Sequence, residues 1–418
     1  MARQMKDSGV EWIGEIPDNW SVFKTLWLLD MPITDGPHET PLLYDEGIPF
    51  ISAEAVSCGC GGIDFSHKRG YISREYYVEC CKKYTPKLHD IYMIKSGATT
   101  GRVSMVDTEE DFAIWSPLAV FRANPKKIAP RYLFYSLQAD YYQNQISLSW
   151  SFGTQQNIGM RVLEQLKLAV PVIEEQQKIV ADLDNKCSEI DKVVEQTRAT
   201  IEEYKKLKQA IITEAVTKGV RGPRPMKPSG VEWIGDIPEE WDKVALKYLC
   251  RMNAGDSLSS LDILPAGEYP VYGGNGVRGF YSLSNCKGPV ILIGRQGALC
   301  GNVHLVDEEF WSTEHAVITR FSADIFMRYG YYLLIAMNLG QYVSPSAAQP
   351  GLSVSKISSI TAVIPHIIEQ QEIATYLDTK CTEIDRIIEK KEQLIEELGS
   401  YKKSLIYEYV TGKKEVTA

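Results

Sequence analysis

The chain has 418 residues, enough for two to four domains, and its 44% of hydrophobic residues is typical of globular proteins. No apolar run approaches the roughly 20 residues of a membrane-spanning helix, and the N-terminal residues lack a signal-peptide core, so we predict a cytoplasmic protein. The nine irregularly spaced cysteines favour reduced thiols over a disulfide framework. A net charge of −9 disfavours a uniformly basic nucleic-acid binder, although the charge of each segment has to be considered separately.

The sequence contains an internal repeat. The segment 8–14, SGVEWIG, returns as 229–235, and each copy continues through an Ile-Pro pair to a second tryptophan. The segment 183–191, LDNKCSEID, reappears as 377–385, LDTKCTEID. The first pair of motifs lies 221 residues apart and the second 194, so the first intervening region is 27 residues longer (221 − 194). The repeat predicts one architecture, present twice, around two diverged regions.

Residues 1–170 form the first predicted domain. The runs 47–51 and 90–94 have the composition of short strands bounded by Gly, Pro and Asp. A helix is predicted over 131–137, since Pro130 is well placed in a first helical turn.

The next predicted domain, 171–220, is a long helix from about Glu174 to about Thr217 with its linker. Its apolar or small residues alternate by four and three, as in the heptad seam of a coiled coil. These seam residues are Leu183, Cys187, Ile190, Val194, Thr197, Ile201 and Tyr204. A helix of about 44 residues would be roughly 65 Å long. Residues 219–225 are rich in Gly and Pro and end it.

The second half repeats this plan, with a variable domain over 221–362 and a helical domain over 363–418. The helix is predicted from about Glu369 to Thr411. Its seam residues are Leu377, Cys381, Ile384, Ile388, Ile395, Leu398 and Leu405. An amphipathic helix of this length cannot bury its seam alone, so we expect the two helices to pair antiparallel within the chain. The alternative is an ordinary coiled-coil dimerisation device.

Positive charge is concentrated in two windows of an otherwise acidic protein. Residues 64–105 hold eight Lys/Arg against four acids, and residues 271–304 hold three cations and no acid. By contrast, residues 174–218 hold ten acids and eight Lys/Arg. Local basic windows are typical of nucleic-acid readers.

The variable regions also share weaker matches: the stretch 97–103 parallels 297–303, and Gln155 parallels Gln349. The Gly-x-x-x-Gly stretch has two interpretations of equal weight, a phosphate cradle of backbone N–H groups or a tight turn that needs glycine. The stretch 272–281 places Arg278 on a flexible, aromatic-flanked loop suited to a guanine contact. Its alternative is a Gly-rich hairpin with a solvated arginine.

No active-site motif is evident. The sequence has neither the Asn/Asp-Pro-Pro-Tyr/Phe motif of amino-methyl transfer nor a Walker A lysine. Four cysteines could imitate half a zinc site, although their spacing favours buried thiols; these are Cys58, Cys60, Cys80 and Cys81. His304 and His315 flank a predicted strand without an evident partner.

Over its whole length, the chain resembles the specificity subunit of a type I restriction–modification enzyme. The resemblance is carried by the two SGVEWIG segments, by Glu-Gln-Gln at 175–177 and 369–371, and by the YPVYGGNGVRG stretch at 269–279. The duplicated order of variable region followed by long helix is the most specific feature.

The resemblance implies an α+β protein with two mixed α/β, strand-rich target recognition domains. Two long antiparallel coiled-coil helices would separate them, with an internal pseudo-twofold repeat. Each domain would read one half of a bipartite double-stranded DNA site, and the helices would set the spacer. Two methyltransferase subunits and the restriction/translocase subunits would be the partners. They would carry S-adenosylmethionine, ATP and Mg, leaving this chain without catalytic residues, cofactor or metal, and with no membrane partner.

Candidate DNA-binding residues are predicted from local charge and loop chemistry alone. They are Lys68, Arg69, Lys82, Lys83, Lys95, Thr99, Thr100, Arg102, Asn275, Arg278, Lys287, Arg295 and Asn302. The competing hypothesis is a coiled-coil scaffold or adaptor whose two repeated domains bind protein partners. A stand-alone nuclease or methylase is disfavoured by the missing motifs.

Overall fold

The computed structural model describes residues 3–149, 151–152, 156–297, 299–343 and 351–416. Gln155 and Gln349, matched in the sequence, lie outside the described residues. The chain forms two compact units, residues 1–196 with 394–418 (unit 1) and residues 197–393 (unit 2). Within the described part of the chain, no helix is long and apolar enough to cross a membrane.

Unit 1 contains short strands and helices of mixed order. Its strands are β1 Met5–Asp7, β2 Glu15–Pro17, β3 Ser21–Lys24, β4 Thr34–Asp35, β5 Ile48–Ile51, β6 Gly70–Ile72, β7 Ile91–Ile94, β8 Val103–Met105, β9 Ala113–Ile114, β10 Leu118–Phe121, β11 Ser151–Phe152, β12 Gln156–Asn157 and β13 Lys167–Val170. Its helices are α1 Thr25–Leu28, α2 Ala53–Ser57, α3 Arg74–Lys83, α4 Pro130–Gln138, α5 Asp140–Leu148, α6 Met160–Gln165 and the first part of α7 Ile173–Lys218. A 3₁₀ turn spans Phe65–His67.

Two sheets form the centre of unit 1. The larger has the order β4-β10-β7-β8 and is antiparallel, and the smaller has the order β6-β5-β9 with β5 parallel to β9. Strand β7 is buried along its whole length, and successive side chains of a strand point to opposite faces. Accordingly, Ile91 and Met93 join one hydrophobic cluster while Tyr92 and Ile94 join another. The sheet is thus covered on both faces.

Unit 2 contains the corresponding elements of the second half. Its strands are β14 Met226–Pro228, β15 Asp236–Pro238, β16 Asp242–Ala245, β17 Cys250–Ala254, β18 Tyr269–Gly273, β19 Gly276–Tyr281, β20 Cys286–Lys287, β21 Val290–Gly294, β22 Val303–Val306, β23 Glu309–Ser312, β24 Ala316–Phe321 and β25 Thr361–Ile364. Its helices are α8 Met327–Ala336, α9 Val354–Ser358 and the first part of α10 Ile367–Val410, with 3₁₀ turns at Leu246–Tyr248 and Leu339–Tyr342.

The two units have the same central sheet topology. The order β17-β24-β21-β22 repeats β4-β10-β7-β8, and β18 runs parallel to β23 as β5 does to β9. The extra length of unit 1 lies in two connections. Residues 52–69 join β5 to β6, whereas residues 274–275 alone join β18 to β19. Helix α3 lies in the second longer connection, between β6 and β7.

The bounds of the long helices α7 and α10 fall within two residues of the predicted ones. In unit 1, Lys402 Nζ lies 2.6 Å from Asp191 Oδ1, and the Tyr409 hydroxyl bonds to Asp182, so the two segments run antiparallel there. In unit 2, Lys208 Nζ lies 2.6 Å from Asp385 Oδ2. Most seam residues are buried, namely Leu183, Cys187, Ile190, Thr197, Ile201, Leu377, Cys381, Ile384 and Leu405.

The Glu-Gln-Gln motifs have a structural role. The middle glutamine of each is buried and forms hydrogen bonds to two segments that precede the helix, and we call this arrangement the glutamine clamp. Gln176 Oε1 accepts a hydrogen bond from Ala129 N at 2.7 Å, and its Nε2 donates to the Pro171 carbonyl at 2.9 Å. Gln370 makes the same two kinds of contact at the start of α10. One side chain therefore ties the first turn of each long helix to the segments that precede it.

The repeated tryptophans have a structural role as well. Together with the glutamine contacts and the two long helices, they form what we call the repeated frame. Trp20 is fully buried, and the Arg3 guanidinium lies 5.4 Å from its ring centroid while pairing with Glu175 at 2.5 Å. Arg224 occupies the equivalent place between the tryptophan and the glutamate of the second copy. The opening segment of each half is thereby fastened to the start of its own long helix.

Candidate nucleic-acid interface

In both units the Gly-x-x-x-Gly stretch is a tight turn at the end of the four-stranded sheet, joining β7 to β8 or β21 to β22. Gly101 N donates to Ile94 O at 2.8 Å, and Gly301 N donates to Gly294 O at 2.8 Å. All four glycines have positive φ, between +93° and +106°. This turn accounts for the glycines, since other residues rarely adopt such φ values. A phosphate contact at these turns stays a prediction.

Two predicted cations of unit 1 surround a buried carboxylate. Asp35 is 1% exposed, and its oxygens lie 2.5 Å from Lys83 Nζ and 3.3 Å from Lys95 Nζ. Lys83 Nζ also donates to the Gly36 carbonyl at 3.1 Å. A buried charge needs such partners, so both lysines have a structural role whatever else they contact.

The other candidates of unit 1 have separate contacts of their own. The Arg69 guanidinium stacks 3.9 Å from the ring centroid of Trp115, and Lys68 Nζ lies 4.9 Å from that of Tyr71. The remaining candidates contact neighbouring groups: Lys82 pairs with Glu79, Arg102 donates to the Ser57 carbonyl, and Thr100 donates to the Gly97 carbonyl of the turn that also contains the half-buried Thr99. Among the described contacts of the unit 1 candidates, only those of Lys83 and Lys95 converge on the same residue, Asp35.

The stretch 272–281 of unit 2 is a β-hairpin of β18 and β19, which is the alternative stated above, and not the flexible loop. Its strands pair in antiparallel register around residues 274–275. A Cβ on Gly273 would lie 2.5 Å from Arg278 Cδ, so the arginine stem packs against the glycine backbone. Arg278 is exposed, and no carboxylate within the described ranges forms an ion pair with it. The hairpin therefore presents an uncompensated guanidinium.

Beside Arg278, several neutral polar groups line an open depression of about 500 Å³. Asn302 Nδ2 donates to Asn275 Oδ1 at 2.8 Å, which joins two predicted residues. His315 Nδ1 lies 2.6 Å from Gln296 Oε1. Gln296 was not among the predicted residues, and His315 had no predicted partner. The only signal was the position of Gln296, immediately after Arg295 at the start of the turn.

Two further candidates of unit 2 have other surroundings. Lys287 lies on β20 and pairs with Glu309 at 2.8 Å, and it does not line the depression. Arg295 is half-buried, and its backbone N–H donates to the His315 carbonyl at 2.8 Å. The backbone of Arg295 thus fixes the turn next to the depression.

The prediction that these four cysteines are buried thiols was wrong. Cys58 and Cys60 are exposed, while Cys80 and Cys81 are half-buried, because all four lie in or beside the short surface helices that lengthen unit 1. In the portion of the chain that the structure describes, no group of three or more His, Cys, Asp or Glu residues has the geometry of a metal site. Burial lowers the pKa of His304 on β22.

Gly274 sets the distance between the hairpin and the β21–β22 turn. An added Cβ would lie 2.9 Å from the Gln296 carbonyl and 3.2 Å from the His315 carbonyl, and backbone cannot yield as a side chain does. We expect Gly274→Ala to lower the free energy of unfolding of unit 2 by about 1–3 kcal/mol, as overpacking does. Urea unfolding measures this. Gly222→Ala is the control, since nothing lies within 4 Å of its Cβ position. Equal stability of the two variants would contradict the prediction.

Comparison with known proteins identifies the family. Residues 39–203 and 238–397 match the family described as "Type I restriction modification DNA specificity domain", and the chain belongs to this family. The chain is 28% identical over 428 residues to the putative type I restriction enzyme MjaX specificity subunit of Methanocaldococcus jannaschii, covering 97% of this chain and 96% of that protein.

Two further comparisons are more limited. A segment of 158 residues is 39% identical to the type I restriction enzyme EcoprrI specificity subunit of Escherichia coli, covering 35% of this chain and only 39% of that protein. A solved chain, from work on complex assembly and conformational transition of the type I R-M system, superposes with a TM-score of 0.69 at 15% identity. It covers 96% of this chain and 99% of its own length, and this likeness shows a shared fold.

Proposed function

We propose that this chain is the sequence-specific DNA-recognition subunit of a type I restriction–modification complex. Each unit reads one half of a bipartite double-stranded site, and the two units form a pseudo-twofold pair. Helices α7 and α10 act as an antiparallel coiled coil that sets the spacer between the half-sites. The chain itself is not catalytic.

The observation that carries the proposal is a constant scaffold with different side chains at matched positions. The turn at the end of the four-stranded sheet has the same hydrogen bonds in both units. Its side chains differ between the units, Lys95 corresponding to Arg295, Thr99 to Leu299 and Arg102 to Asn302. Two copies of one scaffold with different surface chemistry suit two readers of different base sequences.

The repeated frame supports two identical partners. The Gln176 clamp and the Arg3–Trp20–Glu175 contact occur in both copies, so each half offers the same local structure near the start of its long helix. We assign the surfaces next to these repeated contacts to two methyltransferase subunits, with restriction/translocase subunits joining the assembly. S-adenosylmethionine, ATP and Mg belong to those partners in this proposal.

Binding to duplex DNA in the presence of the methyltransferase partner tests the proposal. Cations that neutralise phosphates release counterions, so affinity should fall steeply as salt rises, and it should depend on sequence. A scaffold that binds only proteins, the alternative function, would show neither dependence. Affinity that is independent of both salt and sequence would therefore refute DNA recognition.

Arg278→Ala should relax specificity in one half-site only. The exposed guanidinium of unit 2 is suited to a bidentate guanine contact, whose loss costs roughly 1–3 kcal/mol of discrimination. Binding to duplexes with single substitutions in each half-site measures the effect. Arg251→Ala is a matched control, because this exposed arginine lies on β17 of the same unit and does not line the depression. Equal loss of discrimination in both half-sites would contradict independent readers.

A further inference from the structure

We infer that Gln296, oriented by His315, is a specificity-determining residue of unit 2 that reads a base edge offering hydrogen-bond acceptors. The inference rests on the proposed function, since it assigns a chemical preference to one reader of the DNA site. Both side chains reach the same open depression as Arg278.

The hydrogen bond between the two side chains fixes the direction of the amide. His315 Nδ1 lies 2.6 Å from Gln296 Oε1, and an amide oxygen only accepts, so Nδ1 carries the proton and donates. The amide oxygen of Gln296 is thereby engaged. Its Nε2 group, with two N–H donors, has no partner in the described part of the chain, and the residue is exposed. Gln296 therefore presents mainly donors to solvent.

The neighbouring groups reinforce a donor-rich surface. The Arg278 guanidinium, which has donors only, lines the same depression. Glu314 is a nearby acid, but its Oε1 lies 3.6 Å from His315 Nε2, which is not the ring nitrogen that contacts Gln296. In the major groove, guanine offers the two acceptors O6 and N7 and thymine offers O4, whereas cytosine offers the N4 donor and adenine combines its N7 acceptor with the N6 donor. A surface that presents donors alone therefore favours guanine or thymine over cytosine, and over adenine, whose N6 donor it opposes.

Unit 1 lacks this arrangement at the matched positions. Lys95 N donates to the Pro117 carbonyl at 2.8 Å, just as Arg295 N donates to the His315 carbonyl at 2.8 Å, so Pro117 corresponds to His315. Ser96 corresponds to Gln296 in the same alignment. A proline has no group to orient a neighbour, and serine is too short to reach as far as glutamine. The preference created by Gln296 should therefore appear in one half-site only.

Selection from a library of randomised DNA duplexes tests the inference, using the full chain in complex with its methyltransferase partner. The wild-type complex should enrich guanine or thymine at one position of one half-site. Gln296→Glu replaces the donors with acceptors, so this enrichment should fall about ten-fold and shift toward cytosine or adenine. Gln296→Ala should abolish the preference without reversing it. His315→Leu should weaken it, because the amide can then turn its oxygen outward.

Gln393→Glu is the matched control, since it makes the same change of charge at an exposed glutamine of α10 away from the start of the helix and should leave both half-sites unchanged. Identical motifs for the wild type, Gln296→Glu and Gln296→Ala would overturn the inference while leaving the proposed function intact. A wild-type complex that enriches no motif would overturn the proposed function and the inference with it. Circular dichroism of each variant verifies that the fold is retained.

Discussion

Gln176→Leu is expected to lower the free energy of unfolding of unit 1 by roughly 2–4 kcal/mol, because it leaves the Pro171 carbonyl and the Ala129 N–H without their partner. Gln176 is 0% exposed, so water cannot take over these hydrogen bonds without opening the structure. Leucine has a similar volume, which limits any contribution from a cavity. Urea unfolding gives the change in free energy, and hydrogen exchange localises it to unit 1.

The neighbouring glutamine is a close control for this variant. Gln177 follows Gln176 in the same helical turn but is exposed, so Gln177→Leu should change stability by less than about 0.5 kcal/mol. The second copy offers an independent repetition. Gln370→Leu should lower the free energy of unfolding of unit 2, and Gln371→Leu should not. If Gln176→Leu and Gln177→Leu proved equally stable, the clamp would have no energetic role.

The long helices of the frame were predictable from the sequence because their apolar pattern is local and is repeated over many residues. An apolar pattern repeating over some 44 residues identifies a helix with little ambiguity. The structure places α7 and α10 within two residues of the predicted bounds. Pro130 likewise marked the start of α4, since its fixed φ suits a first helical turn. In contrast, a continuous coiled coil of α7 with α10 and the pseudo-twofold relation of the units remain proposals.

The candidate site was less predictable because its contacts join residues far apart in the chain. The ion pair of Lys83 with Asp35 links residues 48 positions apart, and no local pattern indicates that Asp35 is buried. The contact of His315 with Gln296 spans 19 positions. The hairpin of 272–281 was one of the two interpretations of its sequence, and the two-residue turn 274–275, Gly-Asn, between strand-like segments favours it. Glycine-rich composition does not by itself indicate flexibility, since glycine also fits the tight turn of a hairpin.

Adding one heptad to both α7 and α10 should lengthen the preferred spacer of the DNA site by about three base pairs. Seven helical residues extend the rod by about 10 Å, and one base pair rises 3.4 Å. The insertions belong between residues 196 and 197 and between 393 and 394, where each helix passes from one unit to the other. A heptad keeps the seam on one face, with a drift of only about 20°. Affinity for a series of duplexes that differ in spacer length measures the optimum.

The helical twist of DNA adds a second expected effect to the change in spacer length. Three base pairs turn one half-site by about 100° around the duplex axis, because B-DNA has 10–10.5 base pairs per turn. The added heptad does not rotate the readers by a comparable angle, so the best new duplex should bind more weakly than the parent site binds the parent chain. Seven Gly/Ser residues after Gly222, in the linker 219–225, lengthen the chain without extending either helix and should leave the optimum unchanged. An unshifted optimum with both helices extended would mean that something other than helix length sets the spacer.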